Sequence, residues 1–132
     1  MTEHAAAVDL VLIEAALRAE QERLTATQRD LRAQERIRNG AQDEQTALAR
    51  DEADVAGEDE QRALDAALLV QCDRALVEVE RALAEIAAGT YGRCVDCGQP
   101  INPARLEARP VVQRCLSCQR QQELPSARGR GR

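Results

Sequence analysis

The stretch LVQCDRALVEVERALAEI, residues 69–86, sets Leu69, Cys72, Leu76, Val79, Leu83 and Ile86 at alternating intervals of three and four. That is the a/d spacing of a coiled coil. A helix with so narrow an apolar stripe cannot bury it alone, so a partner is required. Upstream, Leu10, Leu17, Leu24 and Leu31 recur every seven residues and supply a second seam on a second long helix. Two seams in one short chain predict an antiparallel hairpin over residues 1–89. Pairing Leu10 with Ile86, Leu17 with Val79, Leu24 with Cys72 and Leu31 with Asp65 keeps one constant register and turns the chain near residue 48. The first helix is expected to run to about Ala47, with a weak point at Asn39-Gly40 where the glycine costs about 1 kcal/mol. Gly89 is expected to end the second helix as its left-handed C′ residue.

Composition agrees with an elongated helical chain. Of 132 residues, Tyr91 is the one aromatic, so a globular core would rest on Leu, Val, Ile and Ala. Ala, Leu, Glu, Gln and Arg dominate, all strong helix formers. The net charge of −5 argues against wrapping nucleic acid, which needs clustered positive charge, and against direct sequence-specific DNA binding. A protein partner is the expectation. The N-terminus MTEHAAAVDLVLIEAAL carries acids and no basic region, so neither a signal peptide nor a membrane span is read there, and the chain is expected to be cytoplasmic. Residues 124–132 read as a disordered basic tail.

Between them, at 90–123, lies Cys94-Val-Asp-Cys97, a 17-residue spacer, and Cys115-Leu-Ser-Cys118. That spacing is the mark of a zinc site, because each pair turns two sulfurs toward one metal and the spacer brings the second pair back to complete a tetrahedron. Gly98 suits the tight turn after the first pair. Four thiolates close the coordination shell, so the zinc is expected to be structural and the protein not an enzyme. Two disulfides or free buried cysteines are the alternatives, the disulfides disfavoured in a reducing compartment and the spacing matching a metal better than either. Arg93, Arg105, Arg109 and Arg114 stand near enough in sequence to offset the negative charge of a four-thiolate centre. Cys72, on the heptad, reads as a small core hydrophobe.

The stretch AAGTYGRCVDCGQPINPARLEARPVVQRCLSCQ, residues 87–119, closely resembles the C4 zinc-finger signature of the DksA/TraR family. GTYG ahead of the cysteines and RLEARP between the pairs carry the likeness. The resemblance implies a mainly α fold, a long antiparallel coiled-coil hairpin followed by a small four-cysteine zinc finger with a short C-terminal helix. It further implies binding to RNA polymerase, with the finger at the rim of the secondary channel and the hairpin tip, near residues 47–56, directed at the active centre. Family regulators of initiation carry D-x-x-D-x-A at that tip, and here Asp51, Asp54 and Ala56 match it. The residue-level alternative makes Asp51 an N-cap with Glu52 and Asp54 facing the helix macrodipole, and Glu58, Asp59 and Glu60 a solvated face.

Similar regulators hold guanosine tetraphosphate with basic residues on the second helix and around the finger. Arg109 is retained as a polymerase or nucleotide contact, but Glu78 and Gln119 stand where basic groups are expected. A weak or absent response to that nucleotide follows. The leading expectation is a monomeric transcription regulator that alters promoter open-complex stability. The alternatives are a secondary-channel binder acting in elongation or by competition, a coiled-coil zinc adaptor for a partner other than polymerase, and a dimer formed by seams pairing between chains.

Overall fold

Asp9 starts the first helix: its carboxylate accepts a hydrogen bond from the Leu12 amide at 3.2 Å, occupying one of the free N–H groups of the first turn. From there α1 runs Leu10–Gln45, and α2 runs Glu52–Ala88. The computed structural model describes residues 8–45 and 52–124, with the side chains of 41–45 and 52–55 outside the description. The expected turn near residue 48 and the basic tail beyond residue 124 therefore lie outside the described residues. Asn39-Gly40 does not interrupt α1, which continues to Gln45.

The end of α2 is closed by a Schellman motif. Gly89 has φ +78°, its amide bonds to the Ile86 carbonyl at 3.2 Å, and the Thr90 amide reaches back to Glu85 at 2.9 Å. Two short helices follow. In α3, Pro103–Ala108, proline occupies the first turn and the Asn102 side chain caps the Ala104 amide at 2.8 Å; α4 is Leu116–Glu123. Among the described residues there is no strand, and one isolated bridge joins Arg93 to Pro100.

The chain divides into two units, residues 1–18 with 79–132, and residues 19–78. In the second unit α1 and α2 pack antiparallel along the seam. Leu24, Cys72 and Leu76 are buried, and Leu31 and Leu69 are half-buried. Polar side chains flank this seam: the Gln28 amide donates to Asp73 at 2.5 Å, Arg32 lies 3.7 Å from the same carboxylate, and Arg38 pairs with Asp65 at 2.8 Å. Asp65 therefore meets Arg38, two turns beyond the Leu31 that the sequence register puts opposite it. The cause is twofold. Among the described residues no apolar side chain of α1 after Leu31 is buried, and helical side chains lean toward their own N-terminus, which in an antiparallel pair pulls side-chain partners away from backbone level. Beside this pair a cavity of about 220 Å³ opens between Leu31, Leu69, Ala66 and Val70.

In the first unit the buried set is Ile13, Leu17, Val79, Ala82, Cys94, Ile101 and Leu106. Leu10, expected in the seam, is 43% exposed, and Ile13 holds the first buried position of α1. Ala82 is fully buried while Leu83 and Ile86 are half-buried. Here α2 has neighbours on two sides, the start of α1 and the segment around Val111, so burial spreads beyond a two-helix seam.

Candidate metal centre

Each cysteine pair is shaped by main-chain bonds. At the first, the Gly98 amide donates to the Cys94 carbonyl and the Cys94 amide to the Gln99 carbonyl, both at 2.9 Å. Gly98 sits at φ +76°, a conformation that side chains rarely adopt, which is why the turn after the first pair takes glycine. At the second, Cys115 caps α4 and its sulfur accepts the Cys118 amide at 3.5 Å, so a helix N-terminus faces that sulfur. The Val95 amide donates to the Gln113 carbonyl at 2.9 Å and ties the two knuckles together.

The four sulfurs, Cys94, Cys97, Cys115 and Cys118, all lie within 4.8 Å of one another. Cys97 and Cys115 are 3.9 Å apart. Tetrahedral zinc with bonds of about 2.3 Å requires sulfur separations of about 3.8 Å, so the cluster is sized for one zinc ion. The electrostatics agree. Burial pushes the Cys94 thiol up, but the N–H groups of Cys115, Cys97 and Asp96 and the Cys118 side chain outweigh it and draw Cys94 down to about 6. The Asp96 amide is 3.4 Å from that sulfur. Cys118 is pushed up to about 12, first by its hydrogen bond to Cys115 and then by Cys94, and Cys97 is also raised. Cys94 is thus favoured as a thiolate, while hydrogen bonding among the sulfurs, to Cys115 first, holds the proton on Cys118; a bound dication would replace such protons. No coordination position is left for a substrate or water.

Around the sulfurs, Asp96 and Arg114 form an ion pair at 2.7 Å that crosses from one cysteine pair to the other. Arg105 donates to the Arg114 carbonyl at 3.0 Å, and Arg93 to the Gly98 carbonyl at 3.1 Å. Arg105, Arg114 and Arg93 thus bond within the finger, whereas the exposed Arg109 guanidinium has no hydrogen-bond or ion-pair partner among the described residues. Sequence proximity had grouped these four together and could not separate the three structural arginines from the free one. Tyr91 donates its hydroxyl to the Pro110 carbonyl at 2.7 Å, and burial, then Glu85, pushes its phenol up to about 12. Neither Tyr91 nor Arg81, which donates to the Val111 carbonyl at 2.8 Å, was singled out as a finger support from sequence.

Of the other sequence-predicted residues, Asp51 lies outside the described residues. Asp54 falls in the first turn of α2 by its backbone, with its side chain outside the description, and Ala56 is exposed. Glu58 is half-buried while Asp59 and Glu60 are exposed. Cys72 is buried on α2, apart from the metal cluster. The Gln119 amide donates to Glu123 at 2.8 Å.

A closed four-cysteine zinc finger joined to two long packed helices defines the class: a zinc-finger protein of the helical-hairpin type. Residues 89–124 match the model of the prokaryotic dksA/traR C4-type zinc finger. The fold is similar to that of the transcription factor DksA2 from Pseudomonas aeruginosa, with a TM-score of 0.53 and 30% identity over 92% of this chain and 94% of that one. The RNA polymerase-binding transcription factor DksA of Caulobacter vibrioides (strain NA1000 / CB15N) is 34% identical over 73 residues, 55% of this chain and 51% of that protein. The uncharacterized protein YbiI of Escherichia coli (strain K12) is 43% identical over 47 residues, 35% of this chain and 53% of that protein. The chain spans about half the length of the curated relatives it matches. It belongs to the DksA/TraR family.

Proposed function

We propose that this protein is a transcription regulator that binds RNA polymerase, enters its secondary channel and alters the stability of promoter open complexes. The observation that carries the reading is the pairing of a zinc-sized four-cysteine cluster with a long helical hairpin, shared along nearly the whole chain with DksA2. The Caulobacter relative is named for polymerase binding, which supports the partner.

In this reading the zinc, held by Cys94, Cys97, Cys115 and Cys118, shapes the docking surface. Asp51, Asp54 and Ala56 form the working end of the hairpin. Carboxylates carried into a narrow channel, where charge is poorly screened, compete for basic side chains and disturb contacts near the active centre without performing chemistry themselves. Arg109 is taken as a contact to polymerase or an anionic ligand, a role supported by its exposure on the finger. Guanosine tetraphosphate should have little effect, because Glu78 repels a polyanion and the Gln119 amide is already engaged by Glu123.

The test uses purified bacterial RNA polymerase, with open-complex lifetime and transcript yield measured for wild type and Asp54→Asn. Complex formation by both, with a changed lifetime for wild type alone, supports the proposal. Binding with an unchanged lifetime moves the action to elongation or competition with other channel factors. No complex at all sinks the polymerase reading and leaves a zinc adaptor for another partner.

A further inference from the structure

The finger meets the last turns of α2 through the segment Pro110–Gln113. Arg81, three-quarters buried, extends from α2 and divides its guanidinium. Nη2 donates to the Val111 carbonyl at 2.8 Å, and Nη1 lies 3.0 Å from Glu85, one turn further along the same helix. With its amide turned oxygen-inward, Gln113 accepts from Arg81 as well, at 2.5 Å from Nε and 3.3 Å from Nη2. The Gln113 carbonyl in turn receives the Val95 amide of the first knuckle, at 2.9 Å. One fork therefore holds the segment that leads into Cys115 and, through Gln113, touches the knuckle that carries Cys94. Tyr91 supports the same segment from the other side through the Pro110 carbonyl.

We infer that Arg81 is a positioning residue, the clamp that fixes the orientation of the zinc finger on α2 and thereby the direction of its docking surface. The four zinc ligands close the finger upon itself, and none of them lies on α2. Orientation must come from contacts that leave the finger, and among the described residues Arg81 makes a charged one, to the Val111 carbonyl. Its geometry demands arginine. Three acceptors lie around one planar fork, a set that the single ammonium of lysine cannot meet at once. Glu85 holds the guanidinium in that plane, and partial burial keeps water from competing for the Val111 carbonyl. The consequence for polymerase binding rests on the function proposed above; the orientation itself does not.

Two readouts on zinc-loaded full-length chain separate these. Residual dipolar couplings of the 79–88 amides and the 93–118 amides are fitted to one alignment tensor for wild type, Arg81→Ala and Arg81→Lys, with zinc per chain measured alongside. The expected result is one zinc in all three, a single tensor for wild type, and a separate, weaker tensor for the finger in both variants. Affinity for RNA polymerase should fall about tenfold or more in Arg81→Ala, the scale of a lost charge-assisted hydrogen bond, with Arg81→Lys recovering little of it. A single tensor in Arg81→Ala, or full recovery of affinity by lysine, overturns the clamp. If Arg81→Ala loses zinc, Arg81→Lys, which keeps the charge and the aliphatic stem, carries the test alone. Failure of wild type to bind polymerase counts against the proposed function, while the dipolar couplings still decide the role of Arg81.

Discussion

Replacing Gly40 by alanine should stabilise the protein, although Asn39-Gly40 has the sequence of a helix stop. The residue lies five positions inside the end of α1, in an uninterrupted helix, and an added Cβ would meet nothing within 4 Å. No contact is gained or lost, so the change reduces to the difference in backbone freedom between glycine and alanine in a helix. That difference is about 0.8–1.0 kcal/mol in favour of alanine. For a chain of 132 residues it raises the melting temperature by about 3–5 °C.

Gly89 provides the control. An added Cβ there also meets nothing within 4 Å, but φ is +78°. Alanine must then adopt the left-handed region, at a cost of about 1–2 kcal/mol, and the melting temperature should fall. The two substitutions are identical in chemistry and in empty space, and differ only in backbone conformation. Thermal unfolding followed by circular dichroism at 222 nm on zinc-loaded protein reads both. If Gly40→Ala lowers the melting temperature as Gly89→Ala does, Gly40 is a helix terminus, and the continuity of α1 through residue 45 is refuted.

Leu106 is 2% exposed and packs inside the finger, so Leu106→Ala should cost about 2–5 kcal/mol and weaken zinc retention in competition with a chelator. Asp65 is held below the ordinary carboxylate range by its hydrogen bond to Arg38 and then by Gln61. A depressed value means that its stabilising effect is complete above the ordinary carboxylate pKa of about 4 and disappears as pH falls through the lower folded value. Melting temperature against pH should therefore drop less steeply in acid for Asp65→Asn than for wild type; parallel profiles would remove Asp65 from the acid response. Cys94→Ser should bring zinc below one per chain in reduced protein, whereas Cys72→Ser should leave it at one, since Cys72 lies apart from the metal cluster.

The features legible in the sequence are those whose physics is periodic or local. Leu17, Leu24, Cys72, Leu76 and Val79 announce themselves by spacing, because a buried stripe must recur at the helical period. The metal cysteines do so because a knuckle needs two sulfurs on one short turn, and Gly89 because few other residues accept its φ. Where α2 gains a second neighbour the period loses its meaning. Ala82 is then buried ahead of Leu83, since burial there depends on what approaches the helix and not on its own pattern. Asp65 breaks the seam for a related reason: a polar residue at a core position invites a long partner, and the partner's identity depends on the lean of side chains across the pair.

Arg81 is the most instructive omission. One of its acceptors in the finger is a main-chain carbonyl, that of Val111, and Tyr91 likewise meets the carbonyl of Pro110. A carbonyl is present at every residue, so neither partner leaves a mark in the sequence of the segment that receives the bond. Side-chain pairs such as Asp96 with Arg114 at least require two residue types. Contacts that orient one element on another therefore fall below what motif reading detects, even where the motif itself is unmistakable. For this chain the consequence is specific. The zinc ligands report that a finger forms, whereas Arg81, silent in the motif, governs which way that finger faces, and substitutions at the two should separate zinc binding from partner binding.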